Sequence, residues 1–240
     1  VKKYWTESRK ISYGIILGAI LFALYEGLRW LLFSGSGMDN GAAVWLKTLI
    51  FAFPNGPIYA AVVALAVSAY FGVRDYQSGL RLRFDYLAYS VWESFFWALA
   101  VFVGLGYLAP LIVSPSMSAG HDTRNWLGDM VMSLGAGFYE ELFFRLGLVS
   151  LFQGAFMFVG RDPDRPGNVV LIVLATATLF SLAHFKFVIG EYGDDFSFYK
   201  FFFRTFFGVC MSAMMVSRGF GITAWTHAWY DVVVFSVRAL

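Results

Sequence analysis

With 59% of its 240 residues hydrophobic and only 14% charged, the chain lacks the polar surface with which a soluble domain, at about 25% charged residues, covers itself. A net charge of +2 is too small to mark a nucleic-acid binder, and no basic stripe with interleaved aromatics is present. The single cysteine, Cys210, excludes an intrachain disulfide and a cysteine-based metal cluster. The composition therefore predicts an all-α fold, a polytopic transmembrane bundle of about 6–8 membrane helices.

Residues 1–10 carry Lys2, Lys3, Arg9 and Lys10, with Trp5 placed for an interface. The first span follows from Ile11 to Phe33, and its length matches the roughly 20 residues a bilayer needs. No small-residue cleavage site follows it, so no cleavable signal peptide is expected. Glu26 and Arg29 lie three apart on this span and are read as a structural pair. After the Gly/Ser loop 34–41, the apolar segment 44–73 is interrupted by Pro54-Asn55-Gly56-Pro57. Two missing amide donors there predict a short interfacial or re-entrant helix followed by a full span.

Arg74, Arg81 and Arg83 occupy the next loop, and a span is expected from about Tyr86 to Val113, with Glu93 near its start. The polar loop 114–125 holds His121, read as a solvated histidine. The run 126–159 is too long for one straight crossing; it is expected to break near Arg145-Leu146-Gly147 and continue as a partly embedded helix. The turn-rich loop 160–167 precedes spans expected over 168–188, 198–216 and 220–239. The aromatic-rich run 196–207 is read as lipid-facing or as a lateral substrate gate. Glu93 and Arg204 are read as snorkelling or bracing groups, and Cys210 as a small buried residue.

Alternating these spans collects ten of the 18 basic residues on one side: those of the N-terminus, 74–85, 160–167 and Arg218. The loop 190–197 on the other side is acidic, with Glu191, Asp194 and Asp195. By the positive-inside rule the N-terminus is expected to be cytoplasmic, in an integral protein of a prokaryotic inner (plasma) membrane.

Within the apolar run 126–159, Glu140, Glu141 and Arg145 fall inside six residues. An ionised group at a helix centre costs roughly 2.5–3.5 kcal/mol on insertion scales, which makes it a functional candidate by default. Successive helical residues are about 100° apart, so the two glutamates diverge. Glu141 precedes Arg145 by four, the favourable order for a pair, which leaves Glu140 free to face a cavity and act as a general base or acid. His184 follows Phe180 by one turn, and Asp231 follows His227 by one turn, each set within an expected span. Glu, His, and His plus Asp from three separate helices are the pattern of a site built in a bundle interior.

Glu140-Glu141-xxx-Arg145, Phe180-xxx-His184 and His227-xxx-Asp231, in that order in a polytopic chain, resemble the three motifs of the CAAX-protease and bacteriocin-processing (CPBP/Abi) family of intramembrane proteases. The resemblance runs from about Trp126 to the C-terminus. It implies hydrolysis of a peptide bond by water that Glu140 activates with help from His184, while His227 and Asp231 hold the oxyanion. Glu141, Arg145 and Phe180 would support them. In the branch that cleaves prenylated proteins the last motif usually ends in Asn, where this chain has Asp231. A carboxylate donates to an oxyanion only when protonated, so Asp231 is alternatively read as orienting His227 and favouring its charged form.

These readings divide the chain into N-terminal membrane helices, 1–125, and catalytic core helices, 126–240, within one integrated membrane domain. No cofactor is expected; Zn²⁺ held by Glu140, His184 and His227 is the alternative. The expected partners are a membrane-anchored peptide or protein substrate and the lipid bilayer, without nucleic acid and with the oligomeric state open. The rival functions are a proton-coupled transporter built on the same Glu/His relay and a catalytically silent immunity or binding protein. An inverted repeat would favour the transporter, and none is apparent.

Overall fold

The structure, a computed structural model, describes residues 2–35, 39–112, 126–190 and 193–238. The expected loop 114–125 with His121 lies outside the described residues, as does Glu191. A short α1 (Lys2–Glu7) leads into α2 (Ile11–Phe33), which has the bounds of the first expected span. The segment 44–73 divides where its prolines require. Helix α3 (Gly41–Phe51) is capped by Asn40, whose side chain accepts from the amides of Ala42 and Ala43. Helix α4 (Gly56–Gln77) carries Pro57 in its first turn, where a missing amide costs nothing. The turn between them is tight: Asn55 takes a φ of 59°, and a side chain at Gly56 would meet the Ile50 carbonyl oxygen at 1.7 Å.

Helix α5 (Phe84–Ile112) precedes a long helical run built of α6 (Trp126–Gly135), the π-helical segments π1 (Ala136–Glu140) and π2 (Leu142–Val149), and α7 (Ser150–Phe158). The break expected near Arg145-Leu146-Gly147 is not there. The helix widens into π turns and runs on, because Arg145 meets its counter-charge inside its own helix: its Nε lies 3.2 Å from Glu141 Oε2. Widenings of this kind gather at functional sites. The chain ends with α8 (Pro166–Leu182), α9 (Lys186–Ile189), α10 (Phe198–Arg218) and α11 (Phe220–Arg238). The span expected over 168–188 stops at Leu182, so His184 sits in the turn after a helix and not within one.

Among the described residues, four helices are long and apolar enough to cross a bilayer: Ile11–Phe33, Gly56–Gln77, Phe84–Tyr107 and Trp126–Phe158. The fold is an all-α membrane helical bundle, with four such helices in place of the expected 6–8. The reason is local composition. Helices α3 and α8 are apolar but short, while α10 carries Lys200, Arg204 and Arg218 and α11 carries His227 and Asp231.

Helix α11 packs against α2, α5, α6 and π1 and buries Ile222 to Ala228 almost completely. Polar groups tie the bundle where lipid offers no partners. Ser94 Oγ donates to the Ile222 carbonyl at 3.1 Å, Trp225 Nε1 to the Leu17 carbonyl at 3.0 Å, and Thr176 and Ser212 hydroxyls meet at 3.0 Å between α8 and α10. Ser12 Oγ donates to Asp75 at 2.8 Å and pins α4 to α2. Arg218, counted above among the basic residues of one face, is instead buried. It donates twice to Glu93 at 2.7 Å and once to the Trp5 carbonyl at 2.8 Å, which gives Glu93 the bracing role expected of it.

Gly137 lets π1 lie directly on α11: an added Cβ would stand 2.6 Å from the Ala224 carbonyl oxygen and 2.7 Å from Ala228 Cβ. Gly137→Ala is expected to destabilise the bundle by about 1–3 kcal/mol through overpacking, read as a lower thermal midpoint in detergent. Gly27→Ala on α2, where nothing lies within 4 Å, should leave the midpoint unchanged or raise it.

Candidate active site

The π-helical stretch presents its two glutamates to different neighbours, as the angular argument requires. The Glu140 side chain is 16% exposed and its Oε2 lies 3.7 Å from His184 Nε2. The Glu141 side chain is fully buried, with Oε1 2.6 Å from His227 Nδ1 and Oε2 3.2 Å from Arg145 Nε. Only Glu140 of the pair is therefore open to a water or a substrate.

His184 owes its position to the end of α8. The helix closes with tight turns, the Ala183 amide reaching the Leu179 carbonyl at 2.9 Å and the His184 amide reaching Ser181 at 3.2 Å. A terminal turn leaves carbonyls without amide partners. His184 supplies one, its Nδ1 lying 2.7 Å from the Phe180 carbonyl oxygen. A carbonyl only accepts, so Nδ1 carries the hydrogen, and in the neutral ring Nε2 presents a lone pair towards Glu140. Beyond the turn the chain is fixed by a bridge to Asp194, whose amide donates to the His184 carbonyl at 2.9 Å and whose carbonyl accepts from Lys186 at 2.9 Å. Lys200 and Arg204 hold the Asp194 side chain. Burial pushes that carboxyl up, but the two basic partners outweigh it and hold it below the ordinary range. Arg204 thus braces the loop that carries His184.

His227 is nearly buried and lies between two carboxylates, with Nδ1 on Glu141 and Nε2 3.6 Å from Asp231 Oδ2. The contact that orients the ring is the short one to Glu141. Asp231, read from the sequence as orienting His227, also faces the ring, at the opposite nitrogen and at longer range. Spacing along the chain favours Asp231 because it is one turn away on the same helix; Glu141 is reached only through the packing of π1 and π2 on α11. With Nδ1–H committed, Nε2 is a donor only in the imidazolium form, for which the two carboxylates supply counter-charge.

Phe180 joins the two halves. Its ring stands edge-on to His184 at 4.6 Å and to His227 at 6.4 Å between centroids, and the Arg145 guanidinium lies over it at 4.2 Å. Phe207 closes on His227 at 4.8 Å and Phe144 packs edge-on against Phe180 at 5.2 Å. These rings keep the polar groups apart from lipid. The Arg145 guanidinium has no hydrogen-bond partner among the described residues; its contact with Glu141 is close but poorly aligned, and charge and ring stacking hold it. Beside the site, Asp231 opens on an apolar groove of about 410 Å³ between α5, α10 and α11, lined also by Phe102, Phe203 and Tyr230.

The seven residues singled out from the sequence, Glu140, Glu141, Arg145, Phe180, His184, His227 and Asp231, thus converge on one locus. Beside the site, Tyr139 donates to Glu26 Oε1 at 2.6 Å, a contact between helices that nothing in the sequence links. Glu26 is paired with Arg29 at 3.0 Å as expected and also holds Lys47 at 2.8 Å. Among the described residues, no group of three or more His, Cys, Asp and Glu is arranged to hold a metal ion; the donors stand as carboxylate–imidazole pairs.

Residues 123–233 match a family described as Type II CAAX prenyl endopeptidase Rce1-like, a stretch just under half of the chain that contains all three motifs. No curated protein and no solved structure matches the chain.

Arg145→Met removes one of the two partners of the fully buried Glu141, and removing one partner of a buried pair costs about 3–5 kcal/mol. The expected result is a large drop in thermal midpoint in detergent. The double variant Glu141→Gln, Arg145→Met should recover part of that loss.

Proposed function

We propose that this protein, whose residues 123–233 match the Type II CAAX prenyl endopeptidase Rce1-like family, is a member of the CAAX-protease and bacteriocin-processing (CPBP/Abi) family and an intramembrane endopeptidase acting on a membrane-anchored peptide or protein. The observation that carries the reading is the pairing of the accessible Glu140 with His184 Nε2 at 3.7 Å, next to an imidazole held by a buried carboxylate at 2.6 Å. The first pair is suited to activating water and the second to receiving developing charge.

In this mechanism a water between Glu140 and His184 loses a proton to Glu140 as its oxygen attacks the scissile carbonyl. Water is a poor nucleophile until a positioned base takes that proton, an effect worth roughly 10²–10⁴ in rate. The carbonyl oxygen becomes an oxyanion, and His227, as imidazolium, donates to it from Nε2. A donor fixed by Glu141 needs no reorganisation when that charge appears. Asp231, on the same nitrogen, contributes a hydrogen bond in its protonated form or supplies counter-charge in its ionised form. Glu140 then returns the proton to the leaving amine, and the C–N bond breaks. The apolar groove beside Asp231 suits the hydrophobic part of a membrane-anchored substrate.

The proposed reaction uses no metal. His184 and His227 each commit Nδ1 to a protein acceptor and turn Nε2 to a carboxylate, Glu140 and Asp231 respectively, and in this scheme those carboxylate–imidazole pairs act directly on the water and on the oxyanion. In this scheme the membrane is a prokaryotic inner membrane with the N-terminus cytoplasmic, a placement supported by the basic loops.

Glu140→Gln should abolish cleavage while leaving thermal unfolding in detergent unchanged. Comparison of the membrane proteome with and without this variant should reveal an uncut precursor; retained turnover removes Glu140 from the mechanism. A strong chelator should leave cleavage unchanged, whereas a loss restored by Zn²⁺ would assign the reaction to a metal.

A further inference from the structure

Helix α4 is buried at its two ends only. The buried residues are Gly56 at its start and Asp75 near its end, and almost none of its apolar stretch is covered. Asp75 holds the last turns to α2, accepting from the Ser12 amide at 3.1 Å and from the Ser12 hydroxyl at 2.8 Å. Beside this tie lies a groove of about 430 Å³. Its walls are Ile15 and Ile16 on α2, Gly72 and Tyr76 on α4, and Leu80 and Arg81 in the loop after α4. Ser68 extends it along α4, so from Ser68 to Tyr76 it follows the helix for about 12 Å at 1.5 Å per residue.

Two features say what fills it. Both α2 and α4 are long and apolar enough to cross a bilayer, so the groove opens onto acyl chains. Apolar walls around an empty space forfeit their dispersion contacts, and a run of methylenes restores them. The second feature is charge. The acids at this end of the bundle are each paired: Glu7 with Lys3 at 3.7 Å, Asp75 with Arg74 at 3.3 Å and Asp85 with Arg83 at 2.6 Å. Arg81 has no acidic partner among the described residues. Its Nη1 donates to the Leu80 carbonyl at 3.4 Å and its guanidinium lies over the Tyr76 ring at 4.3 Å, which holds it at the loop end of the groove with further N–H donors open. Arg9 and Lys10, in the turn before α2, add positive charge to the same end.

We propose that this groove binds an anionic diacyl phospholipid, with one acyl chain lying between α2 and α4 and the phosphate meeting Arg81. A guanidinium presents paired donors to phosphate oxygens, and a basic residue beside an anionic headgroup is worth about fivefold in affinity. The bound lipid fills the gap next to the Ser12–Asp75 tie and steadies α4 against α2. The site lies outside residues 123–233 and does not depend on the peptidase reading. Two substitutions separate its parts. Gly72 lines the groove and a Cβ there would meet nothing within 4 Å, so Gly72→Leu takes the place of the acyl chain without crowding and with better helix propensity. Arg81→Gln removes the partner of the phosphate and leaves the groove open.

The test titrates the full chain in detergent with dioleoylphosphatidylglycerol and, separately, with dioleoylphosphatidylcholine. Binding of the first lipid is read by native mass spectrometry, with thermal unfolding as the control for folding. The unaltered protein should bind the anionic lipid more tightly than the zwitterionic one. Arg81→Gln should weaken phosphatidylglycerol about fivefold and leave phosphatidylcholine unchanged, whereas Gly72→Leu should weaken both. If the Gly72→Leu chain unfolds early, Arg81→Gln still decides the matter. Equal affinity of the unaltered protein for the two lipids, or an unchanged affinity for phosphatidylglycerol in Arg81→Gln, overturns the proposal. Displacement of the lipid by inorganic phosphate would assign Arg81 to a free anion and overturn it too. A dimer of the unaltered chain that Gly72→Leu dissolves, with lipid affinity unchanged, would give the groove to a second copy of the chain instead.

Discussion

The structure turns on a fully buried carboxylate. Glu141 has no exposed side-chain surface, faces Arg145 at 3.2 Å with one oxygen and His227 at 2.6 Å with the other. A lone charge in such a place is untenable, costing several kcal/mol; Arg145 answers it from the same helix and His227 from α11, so the carboxylate ties the two elements together at this point. The small residues at the crossing follow from that demand. Gly137 allows π1 to approach within side-chain contact of Ala224 and Ala228, and only then does His227 reach Glu141. Glu140, one residue earlier and turned away, is thereby delivered to His184.

The π-helical widening is the local form this constraint takes. A regular helix places Arg145 four residues after Glu141 on one face, and the same face must also receive His227 from outside. Widening the turns over 136–149 changes the angular step between residues while keeping the backbone hydrogen-bonded, which an apolar surrounding requires. The chain keeps its ionised groups without breaking the helix, and the run 126–158 remains one element long enough to cross a bilayer.

Much of this was legible in the sequence, and the remainder was hidden for identifiable reasons. Apolar length gave α2 to the residue, and the Pro-Asn-Gly-Pro turn divided α3 from α4, because both signals are local. The three motifs named the side chains that now converge, because an ionisable residue in an apolar run is rare enough to stand out. The end of α8 was missed. Its apolar run continues through Phe185 and Phe187, and what ends the helix is the pairing of His184 and Phe185 with Asp194 across a loop. Fewer helices than expected are long and apolar enough to cross among the described residues, because α3 and α8 are short and α10 and α11 carry polar side chains within their apolar runs. The short contact of His227 with Glu141 was not legible, because a helix turn is visible in a sequence and an interhelical contact is not.

In the proposed mechanism Glu140 on π1 and His184 in the turn after α8 act on one water as a unit. A double-mutant cycle on the turnover of a lipid-anchored peptide, using Glu140→Asp and His184→Gln, tests it most directly. Groups that share one step are non-additive, so the double variant should lose little more than the worse of the two single variants, each down by about 10²–10⁴. Losses that multiply across the cycle would show the two side chains acting independently and would rule out their joint action on one water.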